Sequence, residues 1–269
     1  MDLGLNGKRA LVTGSSSGIG AAVARELAAE GVSVIVHGRD REKATEVARG
    51  IESAGGIASI ATGDLNRDLE ARNVADAAVA AFGGIDILVN CAGGVVRSDN
   101  PDWENVSPDE WLASFNLNVV SIVRLVQLLA PGMSERGWGR IINISSIGGS
   151  NFGGRLHFYG SAKAAVDHLT INLSKTFAPR GVTVNAIVPG TVMTPQAERW
   201  IVTVRQQQGW PDDLAENERV YVRQFAPQPV PRLGRPAEIA AAVAFLASPR
   251  SDYTTGATLR IDGGASNGR

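Results

Sequence analysis

Residues 13 to 20 read TGSSSGIG, directly after the apolar run RALV and directly before AAVARELAAE. Three glycines and three serines in eight residues suit either a flexible surface loop or a place where backbone closes on a phosphate. Position separates the two. Between a strand and a helix, the free N–H groups at the helix N-terminus and the helix dipole favour an anion. Gly14 then permits a tight turn, and Gly18 and Gly20 let a pyrophosphate and the strand approach the backbone. The spacing is not that of the G-x-G-x-x-G fingerprint.

Working outward, short β-branched or apolar runs recur at 9–13, 33–38, 57–61, 85–90, 139–145, 182–188 and 257–262, each reading as a strand buried on both faces. Between them lie segments of helical periodicity ending near glycines such as Gly31 and Gly55. Alternating strands and helices predict an α/β fold, a Rossmann-like doubly wound sheet of seven parallel strands with helices on both faces. No repeat or linker divides the 269 residues, so one domain over 1–269 is expected. The polar, aromatic and then proline-rich stretch 194–231, with Trp200, Trp210, Tyr221 and Phe225, reads as a substrate lid inserted into it.

The chain is 44 % hydrophobic and 20 % charged, as in water-soluble globular proteins, and no apolar run reaches the roughly 20 residues of a membrane span. No secretory signal is visible, and the single cysteine, Cys91, excludes an intrachain disulfide; both favour the cytoplasm. A net charge of −1 gives no basic footprint for nucleic acid, which leaves small molecules as the expected partners. His37, His157 and His168 lack metal-ligand spacing, so no metal site is expected.

The glycine spacing resembles the T-G-x-x-x-G-x-G of the short-chain dehydrogenase/reductase family, and other stretches resemble it as well. NCAG (90–93) is similar to the family's N-N-A-G, with Cys91 in place of the second Asn. Asn118 in WLASFNLN stands where the family has its active-site Asn, and Ser146 lies thirteen residues before Tyr159 in YGSAK, the family's Y-x-x-x-K. PGTVMT (189–194) and the closing TGATLRIDGG complete a match over about residues 5 to 264, most like 3-oxoacyl carrier-protein reductases.

Residues four apart on a helix share a face, so Lys163 can sit near the Tyr159 phenol and lower its pKa toward the range a general acid or base needs. The resemblance implies that Tyr159 exchanges the proton with a carbonyl oxygen, Ser146 hydrogen-bonds that oxygen, Lys163 holds the nicotinamide ribose, and Asn118 positions a relaying water. Ser145 is the neighbouring rival, but adjacent side chains on a strand face opposite sides. Cys91 reads as packing.

The resemblance places the cofactor on Gly14, Ser16, Ser17, Gly18, Ile19, Gly20, Asp64, Leu65, Asn90, Ala92, Gly93, Tyr159, Lys163, Pro189, Gly190, Val192 and Thr194, with Ile187 flanking the nicotinamide. At the end of the second strand the family's discriminating acid is replaced by Gly38, leaving Arg39 free for the 2′-phosphate of NADP, while Asp40 opens the next helix. NADP(H) is therefore expected over NAD(H). The implied activity is hydride transfer between NADP(H) and a carbonyl or secondary alcohol. Alternatives are an NAD-dependent sugar or alcohol dehydrogenase of the same fold, a nucleotide-sugar epimerase or dehydratase, and a cofactor-binding regulator without turnover. The substrate walls are expected in 95–99, with Arg97, in 150–158, with Arg155, and in 194–231. The resemblance also implies a homotetramer.

Overall fold

The structure, a computed structural model, describes residues 2–96, 102–150 and 156–266. Seven strands, β1 (Arg9–Val12), β2 (Ser33–Gly38), β3 (Ile57–Thr62), β4 (Ile87–Asn90), β5 (Gly139–Ile144), β6 (Val182–Pro189) and β7 (Thr258–Ile261), form one parallel sheet in the order β3-β2-β1-β4-β5-β6-β7. Period-2 alternation sends neighbouring residues of one strand to two cores. Ala10, Val12, Ile87, Val89 and Ile142 face α1 (Gly18–Ala29), α2 (Arg41–Ser53) and α9 (Pro236–Ala247). Leu11, Leu88, Ile141 and Val184 face α3 (Asp68–Phe82), α5 (Ser121–Glu135) and α6 (His157–Phe177). The chain reverses direction across the sheet between β1 and β4, which opens the crevice at the strand C-termini where α/β sheets bind ligands.

α4 (Pro108–Phe115) runs into α5 through a π-helical turn, Asn116–Val120. The combined run Pro108–Glu135 is long and apolar enough to cross a bilayer by length and composition, although Asn116, Asn118 and Arg124 interrupt its apolar residues. In the fold it lies on the sheet through Ile122, Leu125, Val126 and Leu129, with Leu112 and Val120 left exposed.

The segment after β6 leaves the sheet, forms α7 (Pro195–Gln208) and α8 (Leu214–Phe225), and returns to α9. Ile201, Val222 and Leu233 make its own small core, with Met193 and Tyr221 against it, while Trp200 stays 56 % exposed. Its two ends are bonded together: Met193 N–H donates to the Gly234 carbonyl (2.8 Å) and Gly234 N–H to the Thr191 carbonyl (3.0 Å). Glu218 of α8 accepts from Leu233 N–H (2.9 Å) and from both terminal nitrogens of Arg235.

Candidate active site

A cleft of about 510 Å³ opens where the loops after β1, β4, β5 and β6 meet the first turns of α2 and α7. A second hollow of about 470 Å³, over α1, α2 and the start of α9, is lined mainly by alanines and glycines and gathers no reactive group apart from Arg25 and Glu26.

At one end of the cleft, α1 begins without a side-chain cap on Ser17, and the first helical N–H to find a partner is that of Ala21, on the Ser17 carbonyl at 3.1 Å. The N–H groups before it belong to Gly18, Ile19 and Gly20, all in the cleft wall, so the helix start offers an anion its donors and its dipole. At two of its glycines the loop leaves no room for a side chain. A Cβ on Gly20 would lie 2.4 Å from the Gly14 carbonyl oxygen, and one on Gly14, at φ +64°, would lie 2.9 Å from Ala92 Cα. Uncapped donors beside these glycines fit the pyrophosphate of a nicotinamide dinucleotide.

At the other end stand Ser146, Tyr159 and Lys163. Ser146, just past β5, accepts from Gly148 N–H (3.1 Å) and stands beside the Tyr159 hydroxyl. Lys163, one turn along α6, is buried, donates from Nζ to the Ile144 carbonyl (2.9 Å), and lies 5.7 Å from the Tyr159 ring centroid. Burial pushes the Lys163 ammonium down to about 8. The expected lowering of Tyr159 is absent: burial pushes its phenol up, opposed by the nearby Ser146 hydroxyl. Ser145 is buried, and its hydroxyl donates to the Lys163 carbonyl (3.2 Å), fixing the helix to the strand end.

The family description Enoyl-(Acyl carrier protein) reductase matches residues 14–266. The chain belongs to the short-chain dehydrogenase/reductase family. A 3-oxoacyl-(acyl-carrier-protein) reductase of Vibrio cholerae is 37 % identical over 263 residues, covering 97 % of this chain and 98 % of that one. The L-sorbose reductase of Gluconobacter frateurii, solved with NADPH and L-sorbose, superposes with a TM-score of 0.93 at 30 % identity, covering 100 % of both chains. A 7α-hydroxysteroid dehydrogenase, solved with NADH and 7-oxo glycochenodeoxycholic acid, superposes with a TM-score of 0.85 at 33 % identity, covering 98 % of this chain and 96 % of that one.

In this short-chain dehydrogenase/reductase the cleft gathers Gly14, Ser17, Gly18, Ile19, Gly20, Gly93, Ser146, Tyr159, Lys163, Pro189, Gly190, Val192 and Thr194. The other residues expected at the site stand behind or beside that wall. Asn118, within the π turn, is fully buried; its Nδ2 donates to the Gly94 (2.9 Å) and Ser114 (3.0 Å) carbonyls and its Oδ1 accepts from Gly94 N–H (2.9 Å). Asn90 is drawn into the core, donating to Asn143 Oδ1 (2.8 Å), rather than presented to the cleft as expected. Ala92 backs Gly14, Leu65 is buried in the second core, and Asp64 accepts from Asn66 N–H (3.1 Å). Ser16 Oγ lies 2.6 Å from where a Cβ on Gly38 would be. Arg39 is exposed beyond the cleft edge, and Asp40 caps α2 by accepting from Glu42 and Lys43 N–H.

Sequence reasoning missed Lys43, Cys91, Gly94 and Ile144, which also line the cleft, whereas Pro195, Gln196 and Arg199 line it from the wall expected in 194–231. Lys43 becomes visible only once the start of α2 is fixed, since it sits in the first turn of that helix. Cys91 packs on the first core as expected, and burial pushes its thiol up to about 11. His157, within the 150–158 stretch expected to wall the substrate, is stacked edge-on against Trp103 at 5.3 Å and does not line the cleft. Arg97, Asp99 and Arg155 lie outside the described residues. Among the described residues no cluster of metal-ligating side chains occurs.

Proposed function

We propose that this dehydrogenase/reductase moves a hydride between NADP(H) and the carbonyl carbon of a small-molecule ketone, or the matching secondary alcohol. The observation that carries the reading is the convergence of Ser146, Tyr159 and Lys163 in the same cleft as the uncapped start of α1. When bound, the nicotinamide supplies the hydride. In reduction, the Tyr159 hydroxyl gives its proton to the carbonyl oxygen, so the carbonyl gains one hydride and one proton and becomes an alcohol. Ser146, with its oxygen already accepting from Gly148, turns its own hydrogen to the same oxygen. The Lys163 ammonium steadies the phenolate left behind. Oxidation runs these steps backward. The α7–α8 segment, through Gln196 and Arg199, serves as the lid that bounds the substrate.

The test is NADPH consumption with a 3-oxoacyl thioester, a ketose and a 7-oxo bile acid. Turnover of at least one supports the reading. Binding of NADPH with no turnover of any makes the chain a cofactor-binding regulator.

The charge on Lys163 sets a pH limit. With its pKa pushed down to about 8, the ammonium is present below that pH and lost above it, while the raised Tyr159 keeps its proton throughout. We expect kcat/KM for reduction, which reports the free enzyme, to fall as pH rises through about 8. A profile flat to pH 10 contradicts this.

The apolar residues left exposed on the α4–α5 run and on α6, among them Leu112, Val120 and Ile171, support assembly of a homotetramer through these helices and the β7 edge. Light scattering at micromolar concentration is expected to give four chains; a monomer overturns the assignment.

A further inference from the structure

The glycine turn is docked on one residue, His37, near the end of β2. Ser15 N–H donates to the His37 carbonyl (2.8 Å), and His37 N–H donates to Ser15 Oγ (2.9 Å). Gly14 N–H donates to His37 Nδ1 (3.1 Å), while His37 Nε2 lies 3.2 Å from the Gly63 carbonyl. The first two bonds use the backbone of residue 37 and would survive a change of side chain. The last two need the ring. An accepting Nδ1 and a donating Nε2–H define one neutral tautomer. The surroundings keep it: the residue is 3 % exposed, and burial pushes its pKa down to about 4 against smaller opposing effects of the Gly63 carbonyl and the Asp64 carboxylate.

The strand does not need this ring to stay in the sheet, because β2 is paired along its length with β3 and from Ser33 to Val36 with β1. What the ring adds is a bridge between two turns: Gly14, which leads into the start of α1, and Gly63, which precedes Asp64 after β3. We infer that His37 is a positioning residue for the dinucleotide, its neutral ring presetting the Gly14 turn and the α1 start against the turn at Gly63. The inference rests on reading the cleft as the cofactor site.

Three variants separate the two halves of the bridge. His37→Ala leaves Gly14 N–H without its acceptor, and one such bond corresponds to about a tenfold weakening of NADPH binding. Turnover at saturating NADPH should stay within about twofold, because Ser146, Tyr159 and Lys163 are untouched. In His37→Asn, Oδ1 falls near the position of Nδ1 and can accept from Gly14, but the side chain stops short of Gly63; most of the affinity should return. His37→Gln reaches Gly63 through its amide but places no acceptor where Nδ1 stands, and should bind as weakly as the Ala variant. Titration of NADPH fluorescence gives Kd and stoichiometry separately, so loss of folded protein lowers the stoichiometry and leaves Kd alone. A Gln variant as tight as wild type, or an Asn variant as weak as Ala, overturns the inference. A wild-type protein that binds neither NADPH nor NADH overturns the cofactor reading instead.

Discussion

Tyr159→Phe is expected to lower turnover about 100- to 10,000-fold, the usual cost of losing a general acid, with NADPH affinity changed by no more than a few-fold. The substitution removes one oxygen from a side chain that donates a proton in the proposed reaction. It leaves untouched the Gly14–Gly20 loop, the α1 start and the Lys163 bond to Ile144. Ser146 keeps the bond from Gly148 N–H, so the strand end should stay in place. Steady-state turnover and a fluorescence titration on the same sample check both halves. Retention of more than half the turnover, with chemistry limiting, would remove Tyr159 from the proton step.

Arg39→Ala is expected to weaken NADPH about 10- to 100-fold, the scale of a charge-assisted bond to phosphate, and NADH by less than threefold. Three features support the assignment. A side chain at position 38 would strike Ser16 Oγ at 2.6 Å, which disfavours the acid that grips a ribose 2′-hydroxyl. Asp40, the nearest carboxylate, is engaged as the cap of α2 and pairs with Lys43 at 3.1 Å. Arg39 is exposed, and Lys43 in the cleft wall adds a second positive charge. Equal losses for the two cofactors, or a wild-type enzyme that prefers NADH, would reverse the assignment.

The five inner strands were legible because each is buried almost throughout and reads as a short, largely apolar run; β3 and β7, at the sheet edges, are only partly buried and so depart from the expectation of strands covered on both faces. Tyr159 and Lys163 could be brought together from spacing, since a helix puts residues four apart on one face; Ser146, at a strand end, was joined to them only by the family resemblance. Three things were not legible. The direction of the Tyr159 shift depends on burial, a property of the whole fold that overrides a neighbouring charge. The inward turn of Asn90 depends on Asn143, 53 positions away. The π turn that carries Asn118 follows from bonds to Ser114 and Gly94 that no local periodicity encodes.

The bonds that join Thr191 and Met193 to Gly234 give the α7–α8 excursion the mechanics of a flap sewn along one short seam. Glu218 and Arg235 add a stitch beside that seam. Were the proposed lid to open, it would turn about this seam. Its displacement would then be smallest at Thr194 and Pro195, which border the glycine loop, and largest at the far turn near Gly209, where Arg205 is clasped to Asp212. Substitutions near that outer turn would change how fast the mouth of the cleft opens, while those along the seam would change where the floor of the cleft lies.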